Sequence, residues 1–199
     1  MNVRENYQTI TREQFLFSEM RIVAKLLDKG MTDKEIQDEI KQNNLFQFPT
    51  ERMISNIVSV CLRRLHYLDD PTLIQIIAYD PFDTAKQACL YVMMTYYRLV
   101  WDFMVNMIGE KYRIKDFSFS KKDVNVFFTQ LQEQNETVAS WSEETIKKCK
   151  SVLIRILVEN EYLDSNSSQT LNPVILGLQL KGVIEDTNRA ALVAFNYFE

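Results

Sequence analysis

TAKQACLYVMMTYYRLVWDFMVNMIGEKY, residues 84–112, is the stretch on which the fold turns. It holds no proline, and its one glycine, Gly109, stands near its end. Apolar side chains fall on nearly every face: Leu90, Val92, Met93, Met94, Tyr97, Leu99, Val100, Trp101, Phe103, Met104, Val105, Met107 and Ile108. The polar remainder, Gln87, Thr95, Arg98, Asp102 and Asn106, recurs at steps of three, four or eight and forms one narrow stripe. A helix that is apolar all round except for one stripe is covered by neighbours on most sides. The pattern therefore predicts a long buried helix, capped by Asp83 and stopping near Gly109. Lys86, Arg98 and Asp102 leave no uncharged run of about 18 residues, so the stretch does not read as a membrane span. Arg98 and Asp102 have the i,i+4 spacing of an intrahelical ion pair.

Upstream, Thr11 and Gln14 have capping-box spacing before a helical run carrying Phe15, Met20, Ile22, Val23, Leu26 and Leu27, which Gly30 ends. Thr32 and Glu35 form a second box and open a short helix with Ile36 and Ile40 inward. NNLFQFPT is a loop whose Leu45, Phe46 and Phe48 are expected to plug the core. Thr50 starts ERMISNIVSVCLRRLHYL, with Ile54, Ile57, Val58, Cys61, Leu65 and Leu68 buried and Arg52, Asn56, Ser59, Arg63 and His66 outside. Asp70 and Pro71 introduce one further apolar helix, residues 73–79.

Downstream, Ser120 and Asp123 are spaced as a cap for KKDVNVFFTQLQEQ, and Ser142 as the N-cap of EETIKKCKSVLIRILVENEYL. The latter buries Ile146, Cys149, Leu153, Ile156 and Leu157 and shows Lys147, Lys148, Ser151 and Arg155. LDSNSSQTLNP reads as a loop or small hairpin, and a tail of short helices follows Pro173. Two places thus show a short helix, a turn and a longer helix with a basic outer stripe, 32–67 and 121–160. That is the outline of helix-turn-helix units, and the SNSSQ loop gives the second a candidate wing. The expected fold is all-α: a compact helical globule around a long buried central helix. Its expected division is an N-terminal lobe, 1–112, and a C-terminal lobe, 113–199.

Composition sets the limits of function. The net charge is −4 and the apolar fraction 46%, so binding to nucleic acid requires a local basic patch rather than a basic chain. Three scattered cysteines, Cys61, Cys89 and Cys149, fit reduced thiols in a cytoplasmic protein, and the polar MNVRENYQTIT start lacks the apolar run of a signal peptide. His66 is the only histidine, which leaves a histidine-rich metal site or a Ser-His-Asp triad without support. The four glycines form neither GxxxxGK[ST] nor GxGxxG. No enzymatic activity, cofactor or metal is expected.

FLFSEMRIVAKLLDKGMTDKEI, NLFQFPTERMI, RRLHYLDD, ASWSEETIKKCKSVLIRILVENEYL and LNPVI, in this order, resemble the BrxA family of BREX phage-defence systems. The likeness covers essentially the whole chain. It implies an all-helical protein with two helix-turn-helix units that associates with double-stranded DNA and is encoded beside a DNA methyltransferase, an ATPase and other defence components. The family has no established enzymatic residues to carry over. On that basis the expected function is a non-catalytic, double-stranded-DNA-binding accessory, acting in the cytoplasm as a monomer without membrane contact. The alternative is a helical adaptor whose stripes contact other defence proteins.

The residues expected to meet DNA are the cations gathered on helix faces. Arg52, Asn56 and Arg63 share one stripe, and Arg and Asn read guanine and adenine edges. Lys147, Lys148, Ser151 and Arg155 share another, and with Lys150 on the same helix they are suited to phosphates. Lys111, Arg113, Lys115, Lys121 and Lys122 form the densest basic run, placed for backbone contacts ahead of the second unit.

Overall fold

The computed structural model describes residues 3–11, 14–68 and 70–198, and among these every regular element is helical. The chain is all-α; its one β feature among the described residues is an isolated antiparallel bridge between Ser118 and Thr170. Contacts group the chain into two units, Phe15–Val92 and residues 1–14 with 93–199. The division drawn from sequence, at 112/113, follows the change in composition after Tyr112. Contacts instead divide the chain inside the apolar stretch, because its first part packs with the segments before it and the remainder with those after it.

In the Phe15–Val92 unit, α1 (Phe17–Asp28) packs against α3 (Glu51–Leu68) and α4 (Pro71–Tyr79), and α2 (Asp33–Gln42) packs against α3. The capping box of α2 forms as expected: the Thr32 N–H donates to Glu35 Oε2 at 2.8 Å, and the Glu35 N–H donates to Thr32 Oγ1 at 3.4 Å. Asp70 caps α4 by accepting from the Thr72 and Leu73 N–H groups. Gly30 ends α1 with φ +78°, its N–H on Leu27 O and the Met31 N–H on Leu26 O, the paired bonds of a Schellman end.

The start of α1 differs from expectation. Its predicted opening at Thr11 runs through residues 12 and 13, outside the described residues, and the helix begins only at Phe17, behind a left-handed Leu16. Tertiary packing decides this: Phe15 is buried, and its carbonyl accepts from the fully buried Arg64 at 3.2 Å. Of the three loop residues expected in the core, only Phe46 is buried.

The stretch 84–112 is buried nearly throughout, but it is not one helix. α5 (Phe82–Tyr96) begins early enough that Asp83 sits in its first turn instead of capping it. The chain is extended at Tyr97, resumes as α6 (Arg98–Asp102), widens into a π-helical stretch (Phe103–Ile108) and continues as α7 (Gly109–Arg113). The break follows a β-branched residue and two aromatics, Thr95-Tyr96-Tyr97, which are weak helix formers. Adjacent residues of a helix do not face each other. The extended Tyr97 lets its ring meet that of Tyr96 edge-on at 4.7 Å, with both rings buried.

The helix also passes through Gly109 rather than ending there. A Cβ at this position would stand 2.8 Å from Val193 Cγ2 and 3.1 Å from its backbone carbonyl carbon. The glycine serves close approach of the 3₁₀ stretch Arg189–Phe195, which follows α11 (Leu178–Asn188). Around it, the Tyr162 hydroxyl donates to Ala194 O and the Tyr112 hydroxyl to Asn172 O.

α8 (Lys121–Gln134), α9 (Glu136–Ala139) and α10 (Glu143–Glu159) follow in close succession. Asp123 accepts from the backbone and hydroxyl of Ser120, both at 2.7 Å, and Ser142 accepts from the Thr145 N–H at 3.2 Å. The SNSSQ segment is a serine-bonded turn, with the Ser165 N–H on Ser168 Oγ at 2.9 Å. Its Gln169 O accepts from the Phe119 N–H, the Leu171 N–H just beyond it donates to Phe117 O, and no two-stranded hairpin forms among the described residues.

Candidate nucleic-acid interface

On α10 the sequence pattern translates directly into faces. Ile146, Cys149, Leu153, Ile156 and Leu157 are buried, so the residues between them point outward, and Lys147, Lys148, Ser151 and Arg155 are exposed. Lys147, Lys150 and Ser151 meet Lys121, from the first turn of α8, around one cavity of 590 Å³. Glu143 is the one acid in its lining, and Val124, Ile146 and Ile154 supply an apolar floor. Lys150 also ties the two helices together: its ammonium donates to Asn125 Oδ1 at 2.8 Å and lies 5.4 Å from the centre of the Phe128 ring. Lys148 is engaged with Glu144 at 2.7 Å, which holds the Glu144 carboxyl below its ordinary value, with a smaller contribution from Lys147. Arg155 reaches Gln14 at 3.5 Å.

The basic run 111–122 does not form one patch. Lys111 is largely buried, 2.8 Å from Asp116 and 3.5 Å from Asp123, and so fastens the connector to the start of α8. Its bond to Asp116, with help from Ser118, holds that carboxyl down at about 2. Arg113 makes a two-pronged contact with Glu110. Lys115 is exposed at a left-handed position, φ 59°. Lys122 lines a different cavity from its neighbour Lys121. Of the five cations, Lys121 alone joins the α10 stripe in lining that groove.

On α3, Arg52, Asn56 and Arg63 are exposed. His66 is engaged with Asp33 in the first turn of α2 at 2.7 Å, so the lone histidine is a helix–helix contact. The connection between α2 and α3 is ordered by reciprocal bonds: Asn44 Nδ2 donates to Phe48 O, and the Phe48 N–H donates to Asn44 Oδ1.

A second polar cluster was only half legible. Asp102, 3% exposed, accepts from Arg98 Nε at 2.8 Å, from Asn106 Nδ2 at 3.0 Å and from the Tyr7 hydroxyl at 2.5 Å. The spacing of Arg98 and Asp102 announces their pair; nothing local announces Tyr7, 95 residues away. Burial first, and the hydrogen bond to Asp102 second, push the Tyr7 phenol up to about 12. Among the described residues no group of three or more His, Cys, Asp or Glu could hold a metal ion, and Cys61, Cys89 and Cys149 are buried.

The BrxA family matches residues 5–188. A BREX protein BrxA from Bacillus cereus (strain H3081.97) is 39% identical over 155 residues, covering 78% of this chain and 77% of the relative. A BREX protein BrxA from Escherichia coli O9:H4 (strain HS) is 23% identical over 179 residues, covering 88% and 82%. The crystal structure of an uncharacterized protein from Magnetospirillum magneticum shares the fold, with a TM-score of 0.79 at 21% identity over 96% of this chain and 97% of that one. With the family match spanning nearly all of its length, the chain belongs to the BrxA family of BREX proteins.

Proposed function

We propose that the protein is a non-catalytic, double-stranded-DNA-binding accessory of a BREX system, and that the α8–α10 groove meets the phosphate backbone. One observation carries this reading: in a chain of net charge −4, Lys121, Lys147 and Lys150 gather around a single groove with one acid in its lining. A polyanion binds an acidic protein where its cations are concentrated, and lysines hold phosphates rather than read bases. The succession of α8, α9 and α10, with the short turn 140–142 before α10 and Lys150 tying α10 to α8, supports a helix-turn-helix role for this part of the chain. Because Arg113 pairs with Glu110 and Lys111 with Asp116, this reading rests on Lys121, Lys147 and Lys150 rather than on those two cations. In this reading the protein works in the cytoplasm, where its buried thiols stay reduced, as a monomer beside other BREX components.

Fluorescence anisotropy with a labelled duplex at two salt concentrations tests the reading. The wild-type protein binds, and its affinity falls steeply with salt. Lys121→Glu with Lys147→Glu weakens binding to every duplex by about tenfold or more and flattens the salt dependence. Unchanged affinity in that variant, with an unchanged melting midpoint, removes α10 from the interface. The adaptor reading then takes its place.

A further inference from the structure

We propose that the groove between the Arg98–Asp102 helix with its π-helical continuation and α8 is a docking site for a protein segment. The segment it fits carries an Asp or Glu beside apolar side chains.

The cavity measures 610 Å³ and shares no lining residue with the α8–α10 groove. One wall carries Arg98, Asp102 and Asn106, spaced by four; the other carries Lys122, Val126 and Gln130, spaced the same way on α8. Residues four apart on a helix share a face, so two matched stripes confront each other across the groove. Asp102 holds Arg98 through Nε, with the Tyr7 hydroxyl as a second neighbour of the guanidinium, and the Arg98 side chain stays 37% exposed. Lys122 is exposed and has no ion-pair partner among the described residues. Two cationic donors, one held rigid by a buried carboxylate and a tyrosine, are suited to a single carboxylate.

The rest of the lining decides against nucleic acid. Asp102, Glu110 and Asp123 match the three cations in number and oppose a string of phosphates. Between the charges stand Phe127, Leu131, Met107 and a half-exposed Val126, with the amides of Asn106, Gln130 and Gln134. Apolar surface with interspersed amides matches a peptide, whose backbone needs donors and acceptors and whose side chains need cover. The π-helical stretch supplies Asn106 and Met107 to this wall, and such turns occur frequently at functional sites.

The full-length protein, immobilised, is panned against a displayed library of random peptides, and the most enriched sequence is synthesised with a fluorophore. The expected result is enrichment of Asp or Glu next to Leu, Ile or Phe. Lys122→Glu or Val126→Asp, both at exposed positions, raises the Kd of that peptide roughly tenfold or more. Lys147→Glu leaves it unchanged, and unlabelled duplex DNA does not compete. Enrichment without an acidic-apolar pattern overturns the proposal, as does peptide binding that survives both groove substitutions. So does a loss of duplex affinity in Lys122→Glu as large as that in Lys147→Glu, which would make the groove part of the DNA face. Failure of the protein to bind duplex at all leaves the peptide result to stand by itself.

Discussion

Asp102 is a buried acceptor at the meeting point of Tyr7, Arg98 and Asn106. Its two oxygens take three donors from three sequence positions while only 3% of the residue is exposed. Breaking a buried ion pair from one side leaves an uncompensated charge, which costs about 3–5 kcal/mol. Because Arg98 keeps some solvent, the lower end applies, and Asp102→Asn should destabilise the protein by about 3 kcal/mol in urea unfolding. The same variant reports on Tyr7. The phenol stands at about 12 in the folded protein against 10.0 ordinarily, so its contribution to stability is complete below pH 10 and is lost as pH rises from there toward 12. In Asp102→Asn the Tyr7 pKa should fall, but not all the way, since burial is the larger cause. Absorbance titration near 295 nm, with Tyr7→Phe as the blank, follows this group; a transition unmoved in Asp102→Asn would mean the carboxylate does not govern it.

At the scale of elements, what was legible was local and what was hidden was tertiary. Thr32 with Glu35, Ser120 with Asp123, and Ser142 each announce a helix start because donor and acceptor lie within three residues of each other. The late start of α1 and the passage of the helix through Gly109 depend on Arg64 and on Val193. No window of neighbouring residues contains those causes. Gly109 offers a direct test, since a helix interior ordinarily favours alanine over glycine by about 1 kcal/mol. Here the added methyl would meet Val193 Cγ2 at 2.8 Å, and overpacking costs about 1–3 kcal/mol. Gly109→Ala should therefore destabilise, with a lower thermal midpoint by circular dichroism. Val193→Ala in the same chain should restore part of the loss, the backbone carbon at 3.1 Å setting the limit. A stabilised single variant would show that Gly109 is not needed for close approach.

For the molecule as a whole, the charge pattern was readable but its partition was not. The sequence groups Lys111, Arg113, Lys115, Lys121 and Lys122 as one run. In the fold Lys111 and Arg113 are held by carboxylates, and Lys121 and Lys122 line different cavities. Consecutive residues on a helix point about 100° apart, so a cationic doublet at the start of α8 splits between two surfaces by geometry alone. The stripe on α3 is a separate case, because Arg52, Asn56 and Arg63 are exposed on a helix of the Phe15–Val92 unit. If its role is base reading, its chemistry differs from that of the lysines. Each lysine that neutralises a phosphate contributes about 1 to the slope of log affinity against log salt, whereas Asn56 contributes none and Arg52 contributes only through its charge. Arg52→Ala with Asn56→Ala should then change the salt slope less than Lys121→Glu with Lys147→Glu does. It should instead compress the spread of affinities across a panel of duplexes of different sequence, by about 1–3 kcal/mol for each bidentate pairing with a base that is removed. Anisotropy on that panel at two salt concentrations, with melting midpoints to verify folding, reads both quantities at once. An equal slope change with the sequence spread untouched would make α3 a second phosphate-holding face; no change in either would leave it outside the DNA interface.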